Sequence, residues 1–417
     1  MAQDPTSFVQ VDGTEFIRNG QPYRYLGTNY WYGMHLGASG PIGNRSRLVQ
    51  ELDQLQQFGV RNLRIMASGE GPDSAPFRIV PSLQAAPGQY NESLWEGLDF
   101  LLTEMAKRDM VAVLCLNNFW HWSGGMAQYL AWISGDQIPY PPPAEGGSWN
   151  AYQQFTTRFY RSPEARQLAD NHIRTIIGRT NSISGIAYRD DPTIMAWQLA
   201  NEPRPLLRKR AYRKWIRQSA QLIRSLDPHH LISIGSEGNT ANAFAGTRFK
   251  RDQRIPGIDY ATVHLWVQNW GWYDPESGVP GLEATLAEAK AYLATHAEIA
   301  KKLAMPVVLE EFGISRDGNN YDPGSPIQVR DTYFRQIFEW TLGSGTWAGV
   351  NFWAFGGMAS PTAPGKMWTP GDPFVGDPPH EPQGWYSVYS SDLSTLTLIS
   401  EWTRKLQTPD SSTPENR

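Results

Sequence analysis

A (β/α)8 barrel is the fold class this sequence predicts, and three observations predict it. Eight short apolar runs recur along the 417 residues, helical patterns separate most of them, and the long segments follow the runs rather than the helices. Buried strands joined through helices pair in parallel, because a parallel pair needs a long crossover. Eight such units in this length favour a closed barrel over an open doubly wound sheet, which is the alternative the pattern leaves. No linker, charge block or low-complexity tract divides the chain, so residues 1–417 read as one domain.

Each element has its own signal. Residues 8–23, FVQVDGTEFIRNGQPY, alternate apolar and polar positions around Asp12-Gly13 and Asn19-Gly20, which predicts a short N-terminal β-hairpin. The eight strand candidates are Tyr23–Trp31, Asn62–Ala67, Val111–Asn118, Ile194–Asn201, Leu231–Ser236, Ala261–Val267, Val307–Phe312 and Val350–Phe355. Apolar residues at three- and four-residue spacing predict helices over Ser46–Phe58, Glu92–Arg108, Glu164–Arg179, Leu207–Leu226, Leu282–Leu303, Gln328–Leu342 and Thr395–Leu406. Only Gly238–Asp259, between the fifth and sixth runs, lacks a helical pattern. Segments 68–90, 119–163, 267–281 and 356–392 are long and rich in Gly, Pro and Trp. In a barrel of this class such strand-to-helix loops build the functional face.

Composition removes several functions. The chain is 40% apolar and 19% charged, too hydrophobic for disorder. A net charge of −4 offers no basic footprint for nucleic acid or an anionic membrane, and no run of about 18 apolar residues suggests a transmembrane helix. Its single cysteine, Cys115, excludes an intramolecular disulfide or a cysteine-based metal cluster, and it reads as a small buried hydrophobe in the third strand. Phosphate-loop, dinucleotide, HExxH and GxSxG motifs are absent. The basic stretch LRKRAYRKWIRQ at 207–218 reads as the solvated face of a helix whose apolar stripe is Tyr212, Trp215 and Ile216. Met1–Thr6 shows no signal peptide. Ala2-Gln3-Asp4 fits a secreted or periplasmic mature start behind an added Met, or a native cytoplasmic start.

Two carboxylates stand out. Glu202 ends the run IMAWQLANEP and Glu311 ends PVVLEEFG. A strand buried on both faces has no use for a charge unless something pairs with it. Two carboxylates at strand ends facing one cleft are what glycoside hydrolysis requires, one protonated to release the leaving oxygen and one ionised to attack. Environment must push their pKa values apart.

Leu199-Ala200-Asn201-Glu202-Pro203 resembles the Asn-Glu-Pro signature of glycoside hydrolase family 5, and Val308–Gly313 resembles that family's nucleophile strand. WQLANEPR, NNFW and VHLW are similar to its β-1,4-mannanase and β-mannosidase subfamily, over nearly the whole chain from GTNYWYG (27–33) to NFWAFGG (351–357). The resemblance implies Glu202 as acid/base and Glu311 as nucleophile of a retaining reaction, with no cofactor and no metal. It implies Asn201 on the sugar 2-hydroxyl, Arg64 holding the nucleophile, and His264 and Trp353 at the −1 sugar. It implies Arg204 on the leaving-group side and, with less support, Asn118 and Trp120 in the groove. Trp266 stands where many relatives have Tyr. Its N–H can donate to a carboxylate but cannot accept as a phenol does. Alternate strand residues face opposite ways, so Glu310 is expected to point away from the site in a structural role.

The implied substrate is mannan or a manno-oligosaccharide; oligomeric state is not legible. A β-glucan hydrolase and a non-catalytic carbohydrate-binding protein are the competing readings. Between exo and endo action, the proline-rich segment 358–385, with Trp368 and Trp385, favours an exo β-mannosidase, because it could wall off the non-reducing end. Endo-β-1,4-mannanase activity is the alternative. Of the 17 tryptophans, Trp95, Trp197, Trp215, Trp340, Trp347 and Trp402 fall where ordinary packing is expected. The other eleven (Trp31, Trp120, Trp122, Trp132, Trp149, Trp266, Trp270, Trp272, Trp353, Trp368 and Trp385) fall at strand ends or in the following loops, as a wall for apolar sugar faces would.

Overall fold

The computed structural model describes residues 7–407; the reading of Met1–Thr6 lies outside them. Eight parallel strands form the barrel: β1 Tyr25–Asn29, β2 Asn62–Met66, β3 Val111–Cys115, β4 Ile194–Gln198, β5 Leu231–Ser233, β6 Ala261–Leu265, β7 Val307–Phe312 and β8 Gly349–Phe352. All eight correspond to the apolar runs. They hydrogen-bond in the order β5-β4-β3-β2-β1-β8-β7-β6. The remaining seam, β5 to β6, closes through single bonds instead of a ladder: Asp259 N to Ile232 O at 2.9 Å, Thr262 Oγ1 to Ser236 O at 2.9 Å and His264 N to Glu237 O at 3.1 Å.

The outer helices obey the predicted stripes. Lys209–Leu226 buries Tyr212, Trp215, Ile216, Ala220 and Ile223 and leaves Arg210, Lys214 and Arg217 exposed. Pro163–Ile177 starts where Ser162 accepts from Ala165 N and Pro163 fills the first turn, a position that needs no N–H. Between β5 and β6 only the four-residue helix Phe249–Asp252 and a short 3-10 turn form, as the missing periodicity implied.

The N-terminal element is more than a hairpin. Its two turn signals give three antiparallel strands, Gln10–Asp12, Glu15–Arg18 and Gln21–Pro22. This sheet plugs the N-terminal mouth of the barrel, with Val9 and Phe16 buried against Tyr25, Val113, Met195 and Tyr260. The opposite mouth carries the long loops. Among them, the segment 356–392 is held by two buried carboxylates. Asp377 accepts from the backbone of Gly384 (2.9 Å) and Tyr386 (2.6 Å) and from the Ser387 hydroxyl. Asp392 takes Arg316 at both oxygens, at 2.7 Å each, and Arg330 at 3.1 Å.

Candidate active site

A cavity of about 710 Å³ opens at the C-terminal ends of the strands, with Glu202 and Glu311 both in its lining. One oxygen of each carboxylate and one nitrogen of His264 lie within 4.8 Å of one another. Glu202 follows β4, and its backbone is in the left-handed region at φ 50°. For a non-glycine residue this costs about 1–3 kcal/mol and is found where function requires a side chain to be re-aimed. The turn is tight against β5: Glu202 N donates to Gly235 O, and a Cβ on Gly235 would meet Ala200 O at 1.9 Å.

Every oxygen of the pair has an N–H donor. Glu202 Oε1 faces His264 Nδ1 at 2.6 Å, and Oε2 accepts from Trp120 Nε1 at 2.5 Å. Glu311 Oε1 accepts from Arg64 Nη1, and Oε2 from Trp266 Nε1 at 3.3 Å. The Trp266 indole therefore contacts the carboxylate by the one means open to it, donation.

Burial raises the Glu202 carboxyl, but the His264 hydrogen bond and charge, with Arg204 and Trp120, outweigh it and bring it down to about 2. Burial pushes Glu311 up to about 7, against the pull of His264 and Arg64. Burial alone would lower His264, yet Glu311, Glu202 and Glu310 around it raise it to about 10. Of the three groups, His264, a hydrogen bond away from Glu202, is the one whose protonated form the surrounding carboxylates favour.

The other predicted residues divide into lining and support. Trp120, Asn201, Arg204, Trp266, Trp353 and Trp385 line the cavity with the two carboxylates. Arg64, Asn118 and His264 sit behind it. Arg64 reaches Glu311, Asn29, Gln198 and Asn201, the last at 2.7 Å. Asn118 Oδ1 accepts from Asn201 Nδ2 (3.2 Å) and from Trp120 N (3.0 Å), so it positions two lining residues. Arg204 makes a two-point ion pair with Glu237, 2.6 Å at each contact, and stacks over the Trp120 ring at 4.7 Å.

Two expectations fail. Trp368 is not at the site: its ring stacks on Phe374 at 5.4 Å and its N–H donates to Asp372 O, making it the packing centre of the 356–392 segment. Glu310 does not point away. The β6–β7 register passes from Val263 opposite Leu309 to His264 opposite Glu311, so Glu310 is an extra residue in a bulge. The bulge interrupts the alternation, so Glu310, on the same inward face as Val308, and Glu311 both point into the barrel; Gln198 Nε2 donates to both Glu310 oxygens at 2.7 and 2.8 Å.

Sequence reasoning missed Glu237, Gln153, His380 and Glu381, all in the cavity lining. Glu237 carried a usable signal, since it closes the apolar run LISIGSE as Glu202 and Glu311 close theirs. His380 and Glu381 lie in an aperiodic proline-rich loop with no such signal. The His380 ring lies parallel to Trp122 at 6.3 Å and edge-on to His121 at 5.2 Å, which docks this loop on the one after β3. Burial lowers His380 to about 3 and pushes Glu381 well above the carboxylate range. Of the eleven tryptophans assigned to this face, Trp120, Trp122, Trp149, Trp266, Trp270, Trp353 and Trp385 line the cavity. Trp31, Trp132 and Trp272 pack with the core or against it.

Residues 6–411 match the family described as GH family 5 beta-mannosidase-like. A rice protein, mannan endo-1,4-beta-mannosidase 1, is 31% identical over 96% of this chain and 86% of its own length. The crystal structure of a glycoside hydrolase family 5 mannosidase from Rhizomucor miehei superposes with a TM-score of 0.88 at 39% identity, covering 97% of this chain and 99% of that one. A mutant of that mannosidase in complex with mannosyl-fructose gives 0.86 at 38% identity, covering 97% and 98%. The chain belongs to glycoside hydrolase family 5, among its mannosidases and mannanases.

Proposed function

We propose that the protein is a retaining, exo-acting β-mannosidase that releases mannose from the non-reducing ends of manno-oligosaccharides. Retention is supported by the carboxylate oxygens lying within 4.8 Å, because inversion needs about 6.5–9.5 Å to admit a water between the two groups. Glu311, oriented by Arg64 and Trp266, attacks the anomeric carbon. Glu202, taking the proton from His264 Nδ1, protonates the departing oxygen. On the glycosyl intermediate Glu202 receives a proton from water, which attacks the same carbon and frees Glu311. Asn201, held by Arg64 and Asn118, meets the 2-hydroxyl, and Trp353 lies under the −1 ring. Arg204 and Glu237 receive the leaving sugar.

The observation that carries the exo reading is the wall formed by 356–392. It brings Pro378, His380, Glu381, Pro382 and Trp385 into the cavity and reaches across to Trp122 and His121 after β3, over the side of β1 and β2. The β5 and β6 side contributes Glu237, Ala241, Asn242, Trp266, Asn269 and Trp270. The kinship with a rice mannan endo-1,4-beta-mannosidase favours the second reading, endo cleavage. Early products from mannohexaose decide between them: mannose plus a five-sugar product from the outset supports exo action, and mixed dimers and trimers overturn it. Cellohexaose in parallel tests the choice of sugar.

A further inference from the structure

We propose that Glu310 is a positioning residue for the proton-transfer step, acting through His264 on Glu202; this rests on the mannosidase reading above. Glu310 is buried and is not itself part of the cavity lining, yet it is the carboxylate that faces the far side of the His264 ring. Glu310 Oε2 lies 3.4 Å from His264 Nε2, while Nδ1 on the other edge lies 2.6 Å from Glu202 and 3.3 Å from Glu311. An acceptor-only group at Nε2 fixes a proton there in both charge states of the ring. Only the Nδ1 proton is then left to move. It passes to Glu202 Oε1 as the leaving oxygen is about to be protonated, and returns when Glu202 has taken a proton from water. The ring stays Nε2–H throughout, and the cycle neither gains nor loses a proton.

Glu310 is itself fixed. Gln198 donates to both of its oxygens, and Arg64 Nε approaches one at 3.4 Å. The charged groups around the ring are Glu202 after β4, Glu310 and Glu311 on β7, Arg64 on β2 behind those two, and Glu237 after β5 with its partner Arg204. The balance of charge raises the imidazole, and Glu310 is one of the three carboxylates that do so. The bulge at Glu310 is what makes this arrangement possible, since an unbroken pleat would send either Glu310 or Glu311 out of the barrel.

The test is E310Q, which keeps the shape and removes the charge. General acid catalysis contributes roughly 10²–10⁴-fold, so a mispositioned acid should cost part of that range, about 10–100-fold in kcat/KM on mannobiose. A dinitrophenyl β-mannoside, whose leaving group needs no proton, should lose less than about threefold. The alkaline limb of kcat/KM should move to lower pH, because losing a neighbouring negative charge lowers the pKa of His264. Equal losses on both substrates, or an unmoved alkaline limb, overturn the proposal. Should E310Q not fold, nitrogen NMR of histidine-labelled wild-type protein decides: Nε2 of His264 stays protonated across the titration while Nδ1 titrates, and the opposite tautomer at high pH overturns it. A wild type that releases mannose from neither substrate would instead sink the mannosidase reading.

Discussion

Two buried clusters of arginine and carboxylate occupy this barrel, and they differ in the sign of their excess. At the strand ends, Glu202, Glu310 and Glu311 outnumber Arg64 with His264 among them, and the cluster opens onto the cavity. Beneath the 356–392 segment, Arg316 and Arg330 both form their ion pair with Asp392, with no more than 3% exposure for any of the three side chains. Three carboxylates around one imidazole favour a proton on that ring, so the first cluster holds one that can move. The second has an excess of cations that do not titrate near neutrality, and its task is to anchor a loop. Burial of charge alone therefore does not mark chemistry in this molecule; an excess of carboxylates opening onto a cavity does.

The strongest way to break the first cluster is at the pair itself. Glu311→Ala removes the proposed nucleophile and should abolish mannose release while manno-oligosaccharide binding, followed by calorimetry, persists. Glu202→Gln should lower kcat on mannobiose by roughly 10²–10⁴-fold. A Glu311→Ala variant retaining more than a few per cent of activity would mean that attack occurs elsewhere. In the second cluster Asp392→Ala should leave both arginines without their buried partner and cost about 3–5 kcal/mol of stability, read as a lowered urea midpoint. A loss below about 1 kcal/mol would show that the anchor rests on the backbone contacts around Asp377 instead.

Arg64 sharpens the contrast through pH. Glu311 must be ionised to attack, and burial already places its pKa near 7, so kcat/KM should fall as pH drops below neutrality. Arg64 favours the ionised form, so Arg64→Met should move that acid limb to higher pH, by about one unit or more. An unmoved limb would place the titration on another group.

These regions were unequally legible in the sequence. The barrel could be read because each strand is an apolar run and each helix shows its stripe, and Glu202 and Glu311 because a carboxylate ending such a run has no structural reason to be there. Glu310 was assigned the wrong face because strict alternation assumes an unbroken pleat. The bulge that lets Glu310 and Glu311 both face inward is a property of β6–β7 pairing, which no single strand encodes. Glu237 was missed although its run ends in an acid just as the others do. Segment 358–385 was read as a wall from its prolines, but which of its tryptophans faces inward depends on how it folds on itself.

That last distinction admits a matched test of small effects. Trp368 and Trp385 belong to the same loop, and each indole makes one hydrogen bond: Trp368 to Asp372 O at 3.1 Å and Trp385 to Asn319 Oδ1 at 3.0 Å. Each ring also stacks, Trp368 on Phe374 at 5.4 Å and Trp385 on Tyr386 at 4.5 Å. Replacing either by Phe keeps an aromatic plane and removes the bond, a change of about 1 kcal/mol. Because only Trp385 lines the cavity, Trp385→Phe should raise KM for mannotriose several-fold, with a fall in the urea midpoint no larger than that of Trp368→Phe. Trp368→Phe should lower the urea midpoint and leave KM where it was. The reverse pattern would return Trp368 to the sugar-binding wall and make Trp385 the packing residue. The outcome hinges on which indole faces the cavity, since the two substitutions remove the same chemistry from the same loop.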